Sequence, residues 1–546
     1  MVLLLAATPV FAQEAGSLLK DIERGREQQQ LPRKKPAELL ASPSEMKAPS
    51  GLSVSVREFH FAGNTLLSNE QLAPVVAEYL NRPIGFAELQ KAAAAVAEAY
   101  RKAGWIVRVY LPHQDITEGI VTIQIVEAVF GSVKLEGQPA TRFAFERIQK
   151  SFDAQQPKGA KLNANALDRA LLLADDLPGV AVSGSLHEGA NPRETDLILK
   201  VADEPLVVGE VNLDNIGSRA TGSDRLAANL NLNSLAGYGD LLAGNVIHTQ
   251  GSDYLRLAYI LPAGVDGWRV GANASALNYR LIAPEFAALN GNGTSSTAGL
   301  EATYPIIRSR LKNLYLAMNY DNKQFDNQSS NATQSRYQIN AVTAALNGNS
   351  FDNLGGGGAN SGSLAFISGS VALDSRDPRL NAGLNPPNGG YYKLRYSLAR
   401  QQVITDTVAL YAALSGQEAN GKNLDSSEKF YLGGANGVRA YPASEGGGSS
   451  GALTSLELRG RLPKGFVLTG FYDYGDVRNY DGGKSYALQG VGMTLAWQAE
   501  ASLNGLNLKA TLAQRIGSNP NPTANGYDQN GSLTKNRFWL AATQPF

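Results

Sequence analysis

Two spacings of apolar residues divide this chain. Between about residues 53 and 201, helix-spaced stretches mix with alternating ones; from Leu206 onward only alternation is left. In the later region Gly209, Val211 and Leu213 oppose Glu210, Asn212 and Asp214. Leu226, Ala228, Leu230 and Leu232 oppose Arg225, Asn229 and Asn231, and Leu314, Leu316, Met318 and Tyr320 oppose Tyr315, Asn319 and Asp321. Such alternation predicts strands with one apolar and one polar face. A membrane-spanning strand with its share of turn and loop takes roughly 21 residues, so the 341 residues from Leu206 to Phe546 hold about 16 strands. Stretches such as residues 351–363 (FDNLGGGGANSGS) are expected to be long loops alternating with tight turns.

The earlier region predicts two α+β units in the order β-α-α-β-β. In the first, residues 53–128, Val54 and Val56 begin a strand that turns at Gly63-Asn64, and Ser68 with Gln71 forms a capping box. Leu72, Val75, Val76, Tyr79 and Leu80 keep helix spacing. A second helix puts Leu89, Ala93, Val96 and Tyr100 on one face and stops at Gly104. Residues 106–111 and 120–126 complete the unit as strands. The second unit, residues 129–204, repeats the order more loosely, with Val133 and Leu135 leading, a helix opened by Asn163, and Leu197, Leu199 and Val201 closing. A small sheet of this kind leaves an edge to which an extended peptide can add as a strand, with residues 120–126 the candidate.

Ahead of these units, residues 15–30 predict a short polar helix with a narrow apolar stripe of Leu18, Leu19 and Ile22, in a segment taken as 13–31. Residues 32–52 carry Pro32, Pro36, Pro43 and Pro49 and read as a linker. Residues 1–12 have the apolar core and small closing residues of a signal peptide, with cleavage expected after Ala12.

Composition removes several function classes. Lys plus Arg balance Asp plus Glu at 49 each, so no basic footprint suggests nucleic acid. The absence of cysteine excludes thiolate metal sites, disulfides and cysteine nucleophiles. His60, His113, His187 and His248 are scattered and make no metal cluster or triad. The glycines at 355–358 lack the following Gly-Lys-Ser/Thr of a phosphate cradle. No catalytic residue, metal or cofactor is therefore expected, and the protein is read as no enzyme. Beyond the N-terminus no apolar run is long enough for a transmembrane helix, so a membrane reading requires a β-barrel.

The chemistry gathers in the last third. Residues 433–446 (GGANGVRAYPASEG) form a glycine-rich loop presenting Arg439, with Tyr441 and Pro442 stiffening the chain beyond it. Residues 466–475 alternate strictly, with Phe466, Leu468, Gly470, Tyr472 and Tyr474 on one face and Val467, Thr469, Phe471, Asp473 and Gly475 on the other. A loop arginine and a strand carboxylate inside a barrel can form a charge-assisted pair, so Arg439 and Asp473 are the first-choice partners. Glu457 is the reserve, facing inward with Ser455 and Arg459 if Leu456 and Leu458 face lipid.

The VRAY loop (Val438 to Tyr441, after Gly437) and the FYDYG strand (Phe471 to Gly475) resemble motifs of the outer-membrane superfamily of protein-assembly barrels and two-partner secretion transporters. The family loop usually reads V-R-G-Y, and Ala440 replaces that glycine here. The two βααββ units resemble polypeptide-transport-associated (POTRA) domains, most closely at residues 111–128 (LPHQDITEGIVTIQIVEA). The resemblance implies an outer-membrane barrel of about 16 antiparallel strands over residues 205–546, with two periplasmic POTRA domains. The residues alone leave the N-terminal helix as a frayed, solvated segment; the resemblance implies instead that it plugs the pore, and that the loop lies inside the barrel. Asp374, Arg376 and Asp377 also resemble a family strand-end motif, but are read as turn residues before Pro378. The terminal Phe546 resembles the signal read by the barrel-assembly machinery.

The implied function is a translocation pore of the haemolysin secretion-activation type. An unfolded exported partner, a large β-helical exoprotein, would be caught by the POTRA domains and conducted outward without nucleotide hydrolysis. The other partners implied are outer-membrane lipid and the assembly machinery. An assembly or insertion factor is the alternative, though such factors usually carry more POTRA units and no N-terminal helix. A diffusion porin would not need residues 53–204.

Overall fold

The computed structural model describes residues 14–28, 53–116, 118–380, 387–443, 445–480, 483–499 and 503–546. The expected signal peptide (1–12) and linker (32–52) lie outside the described residues. Helix α1 (Ala15–Gln28) comes first, and two small α+β units stand between it and a large barrel.

The first unit contains β1 (Ser53–Ser55), β2 (Glu58–Ala62), α2 (Asn69–Val76), β3 (Pro83–Gly85), α3 (Phe86–Lys102), β4 (Val107–Tyr110) and β5 (Ile120–Glu127). Its sheet order is β2-β5-β4, while β1 pairs with β3 apart from it. Ile120 to Val126 is therefore a central strand with neighbours on both sides, which rules it out as a free docking edge. The second unit contains β6 (Val129–Leu135), α4 (Phe145–Gln155), α5 (Ala164–Asp175), β7 (Val180–Glu188) and β8 (Glu194–Asp203), in the order β6-β8-β7. Asn163 caps α5 by accepting from the Ala166 N–H at 3.0 Å.

Sixteen antiparallel strands close into the barrel. They begin with β9 (Val207–Asp214), β10 (Arg225–Asn233), β11 (Leu241–Thr249), β12 (Ser252–Ala263), β13 (Trp268–Arg280) and β14 (Gly291–Arg308). Next come β15 (Lys312–Ser329), β16 (Ala332–Asp352), β17 (Gly358–Leu373), β18 (Gly389–Val403) and β19 (Val408–Ala419). A long loop with the short pair β20 (Phe430–Tyr431) and β21 (Gly447–Gly448) leads to β22 (Ser450–Arg461), β23 (Phe466–Arg478), β24 (Tyr486–Gln498), β25 (Asn507–Arg515) and β26 (Asn536–Pro545). The barrel closes where β26 pairs with β9.

Alternation sorts the two faces. Leu300, Val342, Leu398, Leu458 and Leu512 stand exposed on the outside, while Phe325, Ile339, Phe471 and Asp473 are buried inside. A belt of exposed leucine and valine on this scale belongs against lipid. Closure also removes the free strand edges that an open sheet would carry. No described helix is long and apolar enough to cross a membrane.

One expectation fails in the wall. Residues 351–363 are not a long loop: Phe351 pairs with Ala359 and Asp352 with Gly358, so only residues 353–357 turn. Gly355, Gly356 and Gly357 all take positive φ, which lets the chain reverse within that span.

The two units of the arm are joined by main chain. Ile106 N–H donates to Leu162 O at 3.1 Å, Leu162 N–H to Ala128 O at 2.8 Å, and Ala164 N–H to Gly104 O at 2.8 Å. Glu127 sits at this joint, accepting from the Thr65 and Leu66 N–H groups at 2.6 and 2.8 Å and from Lys161 of the second unit at 2.8 Å. The second unit is clasped to the barrel in turn: Arg308 holds Asp176 through two bonds of 2.7 and 2.8 Å, and Arg310 holds Asp168 at 2.7 Å. These two clasps tie the second unit to the barrel.

Candidate functional site

The loop between β19 and β22 turns inward. It can do so because glycine sits where other residues could not. Gly434 and Gly446 have φ of +97° and +70°, and a Cβ on Gly437 would collide with the Leu432 carbonyl. Val438 N–H then reaches Leu432 O at 2.7 Å and Tyr441 N–H reaches Val438 O at 3.0 Å, which folds the loop on itself. Leu432, Val438, Ala440 and Tyr441 pack in one buried cluster with Leu453, Phe471 and Leu488 of the wall.

This places Arg439 against the wall. Its Nε and Nη2 donate to Asp473 Oδ2 and Oδ1 at 2.8 and 2.7 Å, a bidentate pair, and its main-chain N–H adds a third bond at 3.1 Å. Nη1 lies 2.9 Å from Glu457 Oε1, and the guanidinium stacks 3.5 Å from the centre of the Phe471 ring. Ser455 both accepts from Arg439 and donates to Asp473, at 3.0 and 2.7 Å. Asp473 has no exposed side-chain surface, and Arg439 and Glu457 have 9% and 11%. The first-choice and reserve carboxylates thus hold the same guanidinium, and Arg459 ties the far side of Glu457 at 2.6 Å.

Ala440 fits without a glycine conformation, since its φ is not among the positive ones. Its methyl points at Gly490, where an added Cβ would lie 2.5 Å away. The side chain missing at 490 leaves the room that the Ala440 methyl fills.

Other predicted positions serve the frame. Gly475 packs under Leu432. Asp374 and Arg376 pair locally at 2.9 Å, and buried Asp377 accepts from the Arg336 N–H at 2.9 Å, so the DSRDP run builds a turn. Phe546 lies far from the clamp: its main chain exchanges bonds of 2.9 and 3.0 Å with Gly209 at the closing seam.

Sequence reading missed a second ion cluster over the same loop. Asp528 takes Arg515 at 2.6 Å and Arg537 at 2.9 Å, and Arg515 lies 4.8 Å from the centre of the Tyr441 ring. Fully buried Glu445 accepts from Asn519 at 3.0 Å and from the Gln529 N–H at 2.8 Å. Trp539 of β26 donates to Arg439 O at 2.8 Å. The available signal was parity: Arg515 continues the inward series of Thr511 and Ala513.

Helix α1 lies inside the barrel against the loop. Ala15, Leu18 and Leu19 are buried with Tyr279, Phe325, Tyr337 and Ile339 of the lumen wall. Arg24 donates to the carbonyls of Tyr431, Gly433 and Asn436 at 2.8, 3.2 and 2.7 Å. Lys323 bridges Glu23 and Glu428 at 3.3 and 3.4 Å, and Lys393 meets Glu428 at 2.8 Å.

Residues 193–497 match the family described as haemolysin secretion/activation protein ShlB/FhaC/HecB, and residues 54–128 match the ShlB-type POTRA domain. The chain belongs to the ShlB/FhaC/HecB family. It is 26% identical to the heme/hemopexin transporter protein HuxB of Haemophilus influenzae strain 86-028NP, over 98% of this chain and 95% of that one. It is 24% identical to the outer membrane transporter CdiB of Dickeya dadantii strain 3937, over 75% and 72% of the two chains. The solved structure of CdiB from Escherichia coli shares its fold, with a TM-score of 0.75 at 18% identity, covering 98% of this chain and 99% of that one. This ShlB/FhaC/HecB member is accordingly a two-partner secretion transporter of the outer membrane, with its POTRA arm in the periplasm, and it moves a secreted partner protein.

Proposed function

We propose that the partner crosses as an unfolded chain, recognised by the periplasmic arm and conducted through the barrel lumen once α1 has left it. The observation that carries this reading is the contrast between wall and plug. The wall is closed all round by strand pairing, whereas the helix in the lumen is held through side chains and one N-terminal N–H. A helix satisfies its own backbone, so α1 can leave without exposing unpaired main chain to the lumen. The Arg439 loop stays behind, clamped to β22 and β23, and shapes the remaining channel.

In this reading the transporter is a conduit and no enzyme. Nucleotide hydrolysis is not needed, because a partner that folds outside cannot slip back. A large exoprotein with a β-helical repeat suits such a route, since it can fold progressively from the end that emerges first. Outer-membrane lipid covers the outer face, and the strand ending at Phe546 is the segment offered to the barrel-assembly machinery.

Deleting residues 13–31 tests the plug. Single-channel conductance in planar bilayers should rise while the barrel still inserts and resists denaturation. Unchanged conductance would refute the reading.

A further inference from the structure

The barrel wall is uneven in height. β9, β10 and β26 hold 8, 9 and 10 residues, whereas β14 and β15 hold 18 each and β16 holds 21. On the short side, apolar residues of the outer face run to the strand ends, as with exposed Leu213 opposite exposed Leu226. On the tall side they stop early. Arg308 and Arg310, clasped to the arm, mark the periplasmic end of β14 and β15, so the turn at residues 330–331 marks the outer end. Going outward, the last apolar row is Leu300, Tyr320 and Val342, paired side by side and all exposed. Past it, from Tyr320 to Gln328, β15 climbs roughly 20 Å further along the barrel axis, at about 3.4 Å per residue and a tilt of about 40°.

Register fixes the outer face of this extension. Phe325, Tyr337 and Ile339 are buried in the lumen, so the even-numbered residues of β15 and β16 point outward. Asn322 stands opposite Asn340, Gln324 opposite Gln338, and Asp326 opposite Arg336. Ser296 and Thr294 of β14 continue the second and third of these rows, and Ser370 of β17 continues the first. The first row is wired together: Asn340 Oδ1 accepts from Asn322 Nδ2 at 2.7 Å and from the Tyr320 hydroxyl at 3.1 Å. Thr294, Ser296, Gln324 and Ser370 stand exposed. Asp326 and Arg336 pair with each other, which leaves the face without a lone charge in these rows. Neither lysine nor glutamate occupies an outward position of β15 beyond Tyr320 or of β16 before Val342. A face that meets only water ordinarily carries such residues, and one that meets hydrocarbon carries no row of amides.

We propose that this face holds the sugar headgroup of the outer-leaflet glycolipid, whose hydroxyls exchange hydrogen bonds with Gln324, Gln338 and Asn340. This rests on the reading that outer-membrane lipid covers the outer face. The amide rows continue that lipid-covered belt without a break. A glycolipid with its acyl chains against Leu300 and Val342 therefore lays its sugars over the rows above them. Neighbouring strands stand about 4.8 Å apart, near the span of one sugar ring, so successive rings meet successive strands. Each side-chain amide offers both a donor and an acceptor, as does each sugar hydroxyl, and the match needs no charge. On the short side the strands end at the belt and raise no such wall. The barrel is thereby tied to the sugar layer along β14 to β17.

The test titrates the full-length transporter in detergent micelles with three lipids and reads binding by native mass spectrometry. The probes are a lipopolysaccharide carrying its core sugars, the same lipid A stripped of them, and phosphatidylglycerol. The sugar-bearing lipid should bind about tenfold tighter than its stripped form. A triple variant, Gln324→Ala with Gln338→Ala and Asn340→Ala, should bring the two within about twofold, while Gln514→Ala on the outer face of β25 keeps the difference. Retained heat-modifiable migration in gels checks that the variant barrel is folded. Equal binding of the two glycolipids by the unmutated protein would overturn the sugar site, whatever the variants do, and leave the lipid-covered belt standing. A sugar preference that survives in the folded triple variant would overturn the assignment to these rows. If that variant keeps the preference but stops secreting, the face belongs to the emerging partner instead, and the glycolipid reading fails. Binding of none of the three lipids would overturn the lipid-covered face as well.

Discussion

The two bodies inside the barrel, the Arg439 loop and helix α1, are both buried and both ionically bound, yet they are held in different ways. The loop is covalently anchored by β19 and β22, folded by its own main-chain bonds and locked by a bidentate pair to the wall. Helix α1 carries its backbone bonds within itself, and its described bonds to loop and wall come from an N-terminal N–H and from side chains. Removing the loop would strand a carboxylate in the wall, whereas removing the helix leaves Glu428 still paired with Lys393. The same kind of interaction therefore makes one element permanent and the other detachable.

Arg439 is where this contrast is most open to experiment. Arg439→Ala leaves Asp473 buried without its counter-ion, at a cost of roughly 3–5 kcal/mol if lumen water stays out. Partner secretion should collapse while outer-membrane levels stay near normal. Asp473→Ala should cost less than Arg439→Ala, because Glu457 still holds the guanidinium. The double variant should be no worse than Arg439→Ala, since both losses share one interaction. Wild-type secretion by Arg439→Ala would reject the clamp.

Arg24 probes the detachable side. Arg24→Ala deletes three charge-assisted bonds to loop carbonyls, each worth about 1.5–3 kcal/mol at most. Channel openings should become more frequent, with secretion retained. Conductance traces identical to wild type would show that α1 is held by its apolar stripe instead.

The periplasmic joint supplies an ion pair outside the lumen to set beside these. Burial would raise the Glu127 carboxyl, but the Lys161 ammonium and the donors of Thr65 and Leu66 outweigh it and hold the group down at about 2. A carboxyl depressed on folding contributes its full stability above its unfolded value of 4.5, and loses it as pH falls toward about 2. Hydrogen exchange of residues 53–203 should therefore quicken at the joint across that window. Glu127→Gln should flatten the pH response at a loss of a few kcal/mol, on the order of 1.4 kcal/mol per pH unit of depression.

Ala440 should matter least. Ala440→Gly removes one buried methyl beside Gly490, about 1 kcal/mol in transfer and packing, and should leave secretion unchanged. Gly490→Ala, which drives a second methyl into the first, should be markedly worse in the same secretion assay.

Alternation along the chain was enough to reveal the barrel, its strand number and the inward face of β23, because a period of two leaves a side chain only two directions. It also made Asp473 and Glu457 legible as partners for Arg439, since both sit on inward positions of neighbouring strands. Parity names a face but no neighbour. That is why residues 120–126 suit a free edge as well as the centre of a sheet, and why the glycine run at 355–357 suggests a longer loop than the five-residue turn it makes. Sheet order, the meeting of Asp528 with Arg515 over the Tyr441 ring, and the seat of Arg24 on three loop carbonyls arose only in the packed molecule. Those contacts join residues brought together by barrel closure and by a loop folding inward, and neither event leaves a periodic trace in the chain.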